Sequence, residues 1–285
     1  WYRPHSLEEA LRMRDREPTV PLAGATDLYV RHRRGGGLPP KMEHPLLYIA
    51  HLRELQGVEV GEREIRIGAA AVYTDILNEP AVPEILRASI RELAAPALRN
   101  AGTIGGNICN ASPAADAVCA LYALDTRCEI RSVNGSRVVP LDEFVTGPGK
   151  TILQQNELLT AITFPRTNRR HTLYHKVGTR GANALSKLSI AAEAEVSDGQ
   201  VKDVAIALGA VAPTVLRLRQ LEKELLGPVD DLPTRADRVY AGYAEAISPI
   251  DDQRSTAEYR REVAVNLVRE FVEERLLAPE AYQVT

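Results

Sequence analysis

The sequence predicts an α+β protein with two domains. Its 285 residues are about twice the usual domain length of roughly 150 residues, and 45% of them are hydrophobic, enough to bury a sizeable core. Strand-like and helix-like segments alternate up to a polar, basic stretch at residues 166–172. A pair of strands and three helical segments follow this stretch. We therefore expect one domain over residues 1–167 and another over residues 168–285.

The first elements predict a strand, a tight turn and a helix. A capping box, Ser6 with Glu9, begins an N-terminal helix. Residues 19–22 are predicted to form a buried strand that enters the glycine-containing turn at residues 23–27, and a helical pattern begins at Leu28. This order is typical of anion binding at a helix N-terminus.

Two strands, two hairpins and two helices complete the first domain in the prediction. The strands are expected at residues 47–49 and 158–164, the hairpins at residues 58–67 and 128–141, and the helices at residues 83–93 and 117–124. In the second hairpin, the dipeptide Asn134-Gly135 indicates a turn whose two central residues have positive φ. Pro165 ends the last of these strands.

The second domain is predicted as a small antiparallel sheet backed by helices. Its paired strands lie at residues 189–196 and 201–211, with Asp198-Gly199 as the turn between them. Gly227 is expected at the C′ position of the first helix, and Ser255 with Glu258 is expected to cap the third. The predicted helices cover residues 216–226, 234–247 and 256–276.

Composition excludes several classes of function. The net charge is −3 with dispersed positive charges, so no nucleic-acid partner is expected. No apolar run approaches ~18 residues, and no N-terminal targeting segment is evident, so no membrane association is expected. Cys109, Cys119 and Cys128 match no zinc or iron–sulfur spacing, and we expect reduced thiols in a cytoplasmic protein.

The chain shows no self-contained catalytic apparatus. No histidine metal motif, nucleophile elbow or P-loop lysine is present, so we assign no catalytic residue and no metal ligand. Two glycine-containing segments remain, at residues 23–27 and 103–107, with hydroxyl and amide side chains that suit phosphate or ribose oxygens. They indicate a bound nucleotide cofactor that carries the chemistry. Ordinary turns remain the alternative interpretation of the same residues.

Three motifs occur together in a fixed order, and they carry a resemblance. The segments Ala23-Gly24-Ala25-Thr26-Asp27, Thr103-Ile104-Gly105-Gly106-Asn107 and 110–116 (NASPAAD) closely resemble the FAD-binding subunit of the molybdenum hydroxylases, such as xanthine dehydrogenase and aerobic carbon monoxide dehydrogenase. Segments 176–180, 207–214 and 259–261, with Arg217, extend the resemblance over nearly the whole chain. The implied fold is α+β, with a two-part N-terminal FAD-binding domain of the vanillyl-alcohol oxidase / p-cresol methylhydroxylase type. A C-terminal three-stranded antiparallel sheet with a helical bundle completes it.

The resemblance assigns roles in FAD binding. Residues 21–28 would wrap the diphosphate with backbone N–H groups, and residues 103–107 would hold the phosphates and ribityl chain from the other side. Ser112 and Asp116 would bond toward the ribityl or isoalloxazine region. Leu159 would pack near the adenine or flavin, and Lys176 would approach the polar edge of the flavin. The complete set is Pro21, Leu22, Ala23, Gly24, Ala25, Thr26, Asp27, Leu28, Thr103, Ile104, Gly105, Gly106, Asn107, Ser112, Asp116, Leu159 and Lys176.

The resemblance also implies partners. A small subunit with two [2Fe–2S] clusters and a large molybdopterin subunit would form a dimer of heterotrimers with this chain. Electrons would pass through FAD to NAD or another acceptor. Two alternatives are a stand-alone flavin oxidoreductase and a non-catalytic assembly subunit that has lost FAD. Residues 146–150 resemble bacterial xanthine-dehydrogenase-like flavin subunits, which favours a purine or another N-heterocycle as the substrate of the complex.

The first loop departs from the family pattern at one position. The family loop reads Ala-Gly-Gly-Thr-Asp, and this chain has Ala25 at the second glycine. If the backbone there has positive φ, alanine costs roughly 1 kcal/mol relative to glycine.

Overall fold

The computed structural model describes residues 1–35, 38, 40–181 and 183–277. The end of the predicted second domain, residues 278–285, lies outside this range. A π-helical segment, Phe271–Leu277, continues the last α-helix. The α-helices are α1 (Leu7–Arg16), α2 (Leu28–Arg31), α3 (Tyr73–Asn78), α4 (Glu84–Glu92), α5 (Pro96–Arg99), α6 (Ile104–Asn110), α7 (Asp116–Ala123), α8 (Leu141–Phe144), α9 (Arg219–Glu224), α10 (Leu232–Ala246) and α11 (Ala257–Glu270).

The strands follow the alternation that the sequence predicts. Short 3₁₀ turns lie at Arg53–Leu55 and Val229–Asp231. The strands are β1 (Val20–Leu22), β2 (Leu46–Tyr48), β3 (Val58–Val60), β4 (Glu64–Gly68), β5 (Arg127–Ser132), β6 (Gly135–Pro140), β7 (Val145–Gly147), β8 (Lys150–Thr151), β9 (Leu158–Pro165), β10 (His171–Val177), β11 (Leu188–Ser197), β12 (Gln200–Gly209), β13 (Leu216–Arg217) and β14 (Gly227–Pro228).

The chain divides into two compact units, and each is discontinuous in sequence. The first unit comprises Trp1–Val82, Ala94–Ser112 and Asp125–Arg166. The second comprises Pro83–Leu93, Pro113–Leu124 and the chain from Thr167 onward. Helices α4 and α7 therefore belong to the second unit, although both precede residue 167 in sequence.

The first unit is built on an antiparallel sheet with the order β3-β4-β9-β5-β6. Strand β9 is its middle strand and is buried from Leu158 to Phe164, which explains why its sequence is apolar apart from Thr160 and Thr163. Strands β1 and β2 form a separate parallel pair, and β7 pairs with β8. Helix α1 buries Leu7 and Leu11 in the core cluster that also contains Leu47 of β2.

The second unit contains the predicted three-stranded antiparallel sheet, β10-β11-β12. The two-residue strands β13 and β14 both pair with β12 and extend it. Helices α10 and α11 share the core cluster of this sheet. Helix α7 is buried at every residue and contacts β11 and β12, which agrees with the predicted buried helix at residues 117–124. Asp198-Gly199 forms the turn between β11 and β12, as predicted, and both residues have positive φ.

Two local predictions for the first unit are wrong in detail. In the β5–β6 hairpin, Ser132 pairs with Gly135, so the central residues are Val133 and Asn134, and only Gly135 has positive φ. The Asn134 N–H donates to Ser132 Oγ, which stabilises this shifted turn. Strand β1, predicted as buried within residues 19–22, is half-exposed, because in the described part of the chain it pairs with β2 alone.

The boundaries of two C-terminal helices also differ from the prediction. The segment expected to start a helix at residue 216 pairs with β12 instead, so α9 begins at Arg219. Gly227, expected at a helix C′ position, lies in β14 with a φ of 116°. Thr256, not Ser255, caps α11 with its side chain, because Ser255 is engaged in a backbone bridge with Asp252.

Candidate cofactor site

The loop at residues 23–27 joins β1 to α2 and presents free backbone donors. Its N–H groups donate no hydrogen bond to any part of the chain that the structure describes. Ala25 has a φ of 58°, the left-handed conformation that the family's glycine would adopt without strain. A run of unpaired N–H groups around a left-handed residue is a common way to bind an anion.

Gly24 has a packing role within this loop. A Cβ at Gly24 would lie 1.9 Å from the carbonyl oxygen of Ala101. The absence of a side chain therefore brings the loop against the segment that enters α6. This close approach, rather than access for a ligand, accounts for glycine at this position.

The second glycine-containing segment is the start of helix α6. Thr103 is its N-cap, and the Gly106 N–H donates to Thr103 Oγ1. The N–H groups of Ile104 and Gly105 donate to the carbonyls of Ala71 and Ala69. The first amides of this helix are therefore occupied within the protein.

Glycine at position 105 is required by packing, and one polar atom close by stays unpaired. A Cβ at Gly105 would lie 2.6 Å from the Cβ of Ala69. Two residues further along, Asn107 Oδ1 is buried and has no hydrogen-bond partner in the described residues. Asn107 is therefore the group on α6 that is available to a polar ligand.

Asn110 ties the first loop to the end of α6. Its side-chain amide donates to Asp27 Oδ2 at 2.9 Å, and its carbonyl accepts from the Arg31 guanidinium at 3.0 Å. The next residue, Ala111, adopts a left-handed φ of 47° and accepts from the Gly149 N–H. The structure thus brings together three segments that the sequence singled out, namely the first loop, the NASPAAD motif and the turn between β7 and β8.

The other predicted residues of the first unit lie on β9, after Ala111, on β1 and at the start of α2. Leu159 is 4% exposed on β9, the strand that α6 contacts. Ser112 follows Ala111 and is half-buried. Pro21 is exposed and Leu22 is half-buried in β1, and Leu28 begins α2.

In the second unit, the structure joins Asp116 and Lys176. Asp116 is the first residue of α7, and Lys176 lies on β10. The Lys176 ammonium donates to Asp116 Oδ2 at 2.7 Å and to the carbonyl of Glu92 at 2.9 Å. Both side chains are nearly inaccessible, at 11% and 4% exposure.

Ser186, which the sequence analysis missed, completes this cluster. Its hydroxyl donates to Asp116 Oδ1, and the residue is 2% exposed. No local sequence pattern predicts this contact, because the two residues are 70 positions apart.

Burial dominates the electrostatics of this cluster. It raises the pKa of Asp116, and the positive charge and hydrogen bonds of Lys176 and the hydroxyl of Ser186 oppose that rise. The pKa of Tyr174, also on β10, is raised well above its usual value by burial and by the nearby Asp116 charge. Burial raises the pKa of the Cys119 thiol to about 12, so this cysteine stays protonated and unreactive.

Comparisons with known proteins agree with these features. The family model described as the FAD binding domain in molybdopterin dehydrogenase matches residues 1–167. The model described as the CO dehydrogenase flavoprotein C-terminal domain matches residues 173–275.

Individual relatives match along almost the entire chain. The putative xanthine dehydrogenase FAD-binding subunit of Escherichia coli strain K12 is 28% identical, covering 98% of this chain and 96% of that protein. The glyceraldehyde dehydrogenase medium chain of Sulfolobus acidocaldarius is 32% identical, covering 92% and 93%. A solved structure is similar with a TM-score of 0.85, 28% identity and 94% coverage of both chains. It is the carbon monoxide dehydrogenase from Hydrogenophaga pseudoflava that lacks the Mo-pyranopterin moiety of the molybdenum cofactor.

The fold and these matches define an FAD-binding oxidoreductase subunit. The chain belongs to the family of FAD-binding subunits of the molybdenum hydroxylases, the xanthine dehydrogenase and CO dehydrogenase medium-chain type. The predicted family and fold class are confirmed. Free amides at residues 23–27 and the unpaired Asn107 Oδ1 fit a cofactor with a diphosphate and hydroxyl groups. Among the described residues, no helix is long and apolar enough to cross a membrane.

Proposed function

We propose that this chain is the electron-transfer subunit of a molybdopterin-dependent hydroxylase. Residues 1–167 would form the FAD-binding domain and residues 168–285 the second functional domain. The observation that carries the proposal is the loop at residues 23–27, which holds its N–H groups unpaired around Ala25. Such donors bind a dianion without burying a counter-charge.

The proposed residue roles combine the family resemblance with the contacts of each segment. The loop from Pro21 to Leu28 would wrap the diphosphate with its backbone. The α6 segment, whose first amides are occupied, would form the opposite wall and offer the Asn107 side chain. Ser112 and Leu159 would contact the ribityl and ring portions, and Asp116 and Lys176 would lie at the polar edge of the flavin. FAD, when bound, supplies the capacity to take up and release electrons.

The wider assembly is part of the same proposal. A small subunit with two [2Fe–2S] clusters would deliver electrons, and a large molybdopterin subunit would hydroxylate a purine or other N-heterocycle. NAD or another acceptor would remove the electrons, in a cytoplasmic dimer of heterotrimers. The E. coli relative supports this composition, since it is named as the FAD-binding subunit of a xanthine dehydrogenase.

A pair of substitutions that differ only in charge tests the diphosphate site. Ala25→Glu places a carboxylate among the free amides, whereas Ala25→Gln has nearly the same shape without the charge. We expect stoichiometric FAD in the purified parent chain and in the Gln variant. The Glu variant should bind FAD more weakly, on the order of tenfold or more. Fluorescence titration of the apoprotein with FAD measures both affinities.

The same experiment separates the alternatives. An unfolded Glu variant would be recognised by circular dichroism, and equal binding by the two variants would contradict the diphosphate assignment. A folded parent chain that does not bind FAD would favour the alternative function, a non-catalytic assembly subunit. Turnover of xanthine by the isolated chain would favour a stand-alone oxidoreductase. Co-purification with an iron–sulfur and a molybdopterin chain, and anaerobic bleaching of the flavin by NADH, test the proposed partners and acceptor.

A further inference from the structure

Ser186 engages the one oxygen of Asp116 that Lys176 leaves open. The Ser186 hydroxyl donates to Oδ1, and the Lys176 ammonium donates to Oδ2 at 2.7 Å. The two donors come from different segments and approach different oxygens. The carboxylate is therefore fixed against rotation about its terminal bond.

The backbone holds Ser186 firmly in this place. The N–H of Lys187 donates to the carbonyl of Val177, which closes the β10–β11 ladder one residue beyond Ser186. The neighbouring Leu185 is 66% exposed, whereas Ser186 is 2% exposed. The chain thus turns inward at Ser186, and its side chain is directed at Asp116.

A neutral hydroxyl is well suited to this position. A buried carboxylate loses hydration, and a hydrogen bond to a charged group recovers more free energy than one between neutral groups. A second ammonium would give the cluster a net positive charge, whereas serine leaves the Asp116–Lys176 pair neutral overall. Ser186 can therefore orient the carboxylate without changing the local charge.

We propose that Ser186 is a positioning residue of the FAD site, which holds the Asp116 carboxylate in the orientation that it and Lys176 present to the flavin. This inference rests on the proposed function, in which Asp116 and Lys176 contact FAD. Ser186 itself is given no contact with the cofactor. Its effect on FAD is transmitted through Asp116.

The test compares three serine substitutions in the full chain. Ser186→Ala removes the hydroxyl, and Ser186→Thr keeps it. Ser89→Ala is the matched control, because Ser89 is a buried serine of the same unit, and its hydroxyl donates to the backbone carbonyl of Leu86 rather than to a charged side chain. FAD affinity is measured by fluorescence titration, the visible spectrum of bound FAD is recorded across pH, and stability is measured by urea unfolding.

We expect Ser186→Ala to weaken FAD binding about tenfold and to make the flavin spectrum change with pH as Asp116 titrates. Ser186→Thr should restore the affinity and the pH-independent spectrum. Ser89→Ala should lose stability without either effect. Asp116→Asn is the reference, and it should weaken FAD binding at least as much as Ser186→Ala.

Each contrary result overturns a defined statement. If Asp116→Asn weakens binding and Ser186→Ala does not, the positioning role is wrong and the proposed site stands. If Ser186→Ala behaves like Ser89→Ala, Ser186 serves stability alone and the inference is also wrong. If Asp116→Asn binds FAD like the parent chain, the assignment of Asp116 fails and the inference falls with it. The diphosphate assignment is still judged separately by the Ala25 pair.

Discussion

The Lys176 ammonium lies 2.7 Å from the Asp116 carboxylate, and the protein buries both groups. The pair joins β10 to the first turn of α7, and a second bond from Lys176 reaches the carbonyl of Glu92 at the end of α4. Asp116 also stands at the helix N-terminus, where a negative charge is favourable. Burial outweighs the attraction in this pair, since the pKa of Asp116 is raised, but either charge alone would be far more costly.

The first prediction is that this pair is strongly coupled. Lys176→Met should lower the free energy of unfolding by about 3–5 kcal/mol, because it leaves an uncompensated buried carboxylate. The double variant Lys176→Met/Asp116→Asn should lose less than Lys176→Met alone. Urea unfolding of the parent chain, Lys176→Met, Asp116→Asn and the double variant measures the coupling between the two charges. Additive losses would show that the two charges do not interact in the folded chain.

The second prediction concerns pH. The folded-state pKa of Asp116 is raised above its ordinary value of about 3.9. Between these two values the folded chain binds more protons than the unfolded chain, so this group makes stability fall as pH rises. Loss of Lys176 removes an influence that lowers the pKa, so the fall should extend to higher pH. Unfolding of Lys176→Met and the parent chain between about pH 4 and pH 8 should show a steeper decline for the variant. Parallel pH curves would contradict the assignment.

The third prediction is that Ala25→Gly stabilises the chain. Ala25 adopts a φ of 58°, where a Cβ is unfavourable. Glycine should raise the free energy of unfolding by roughly 1 kcal/mol. Ala23→Gly is the matched control in the same loop, since Ala23 has no positive φ, and it should lower stability. A loss of stability in both variants would mean that the left-handed conformation of Ala25 carries no strain.

The sequence predicts elements whose pattern is local. The predictions of strand β9, the buried helix α7 and the Asp198-Gly199 turn are correct, because burial on all sides and positive φ each favour particular residue types. The turn predicted at Asn134-Gly135 lies one residue earlier, at Val133-Asn134, where the Asn134 N–H donates to the Ser132 hydroxyl. The residue types alone do not distinguish between these two turn positions.

The candidate site was predictable as segments but not as contacts. Gly24 and Gly105 mark close approaches to Ala101 and Ala69, which no spacing rule relates to them. The bond between Ser186 and Asp116 depends on the path of β10 and β11 around α7. Such contacts follow from tertiary packing, so they appear only when the fold is known.

The fourth prediction is that Asn110 shapes the first loop through Asp27. Their side chains are 2.9 Å apart, although 83 residues separate them in sequence. Asp27→Ala and Asn110→Ala should each weaken FAD binding, and the double variant should be no weaker than the worse single variant, with a coupling of about 1 kcal/mol. Fluorescence titration of the four apoproteins with FAD gives the affinities for this double-mutant cycle. Effects that add would mean that the two residues act independently on FAD.

The fifth prediction is that Asp252 stabilises the chain through its charge. A hydrogen bond from the buried Arg260 is the main cause that lowers the pKa of Asp252, to about 2. The charge of Asp252 therefore stabilises the folded chain at pH values above its ordinary pKa of about 3.9. This stabilisation is lost as the pH falls toward the lower pKa of the folded state. Asp252→Asn should therefore destabilise the chain at neutral pH, and its deficit should shrink on acidification through this interval.

An exposed pair of the same unit provides the control for this last prediction. Asp198 forms a surface ion pair with Lys202 and is 85% exposed, so solvent screens its charge. Asp198→Asn should change the free energy of unfolding little at any pH, because asparagine also tolerates the left-handed turn position of Asp198. An equal and pH-independent loss in both variants would mean that the Arg260 contact contributes through packing. In that case the charge of Asp252 would not be what anchors the segment before α11.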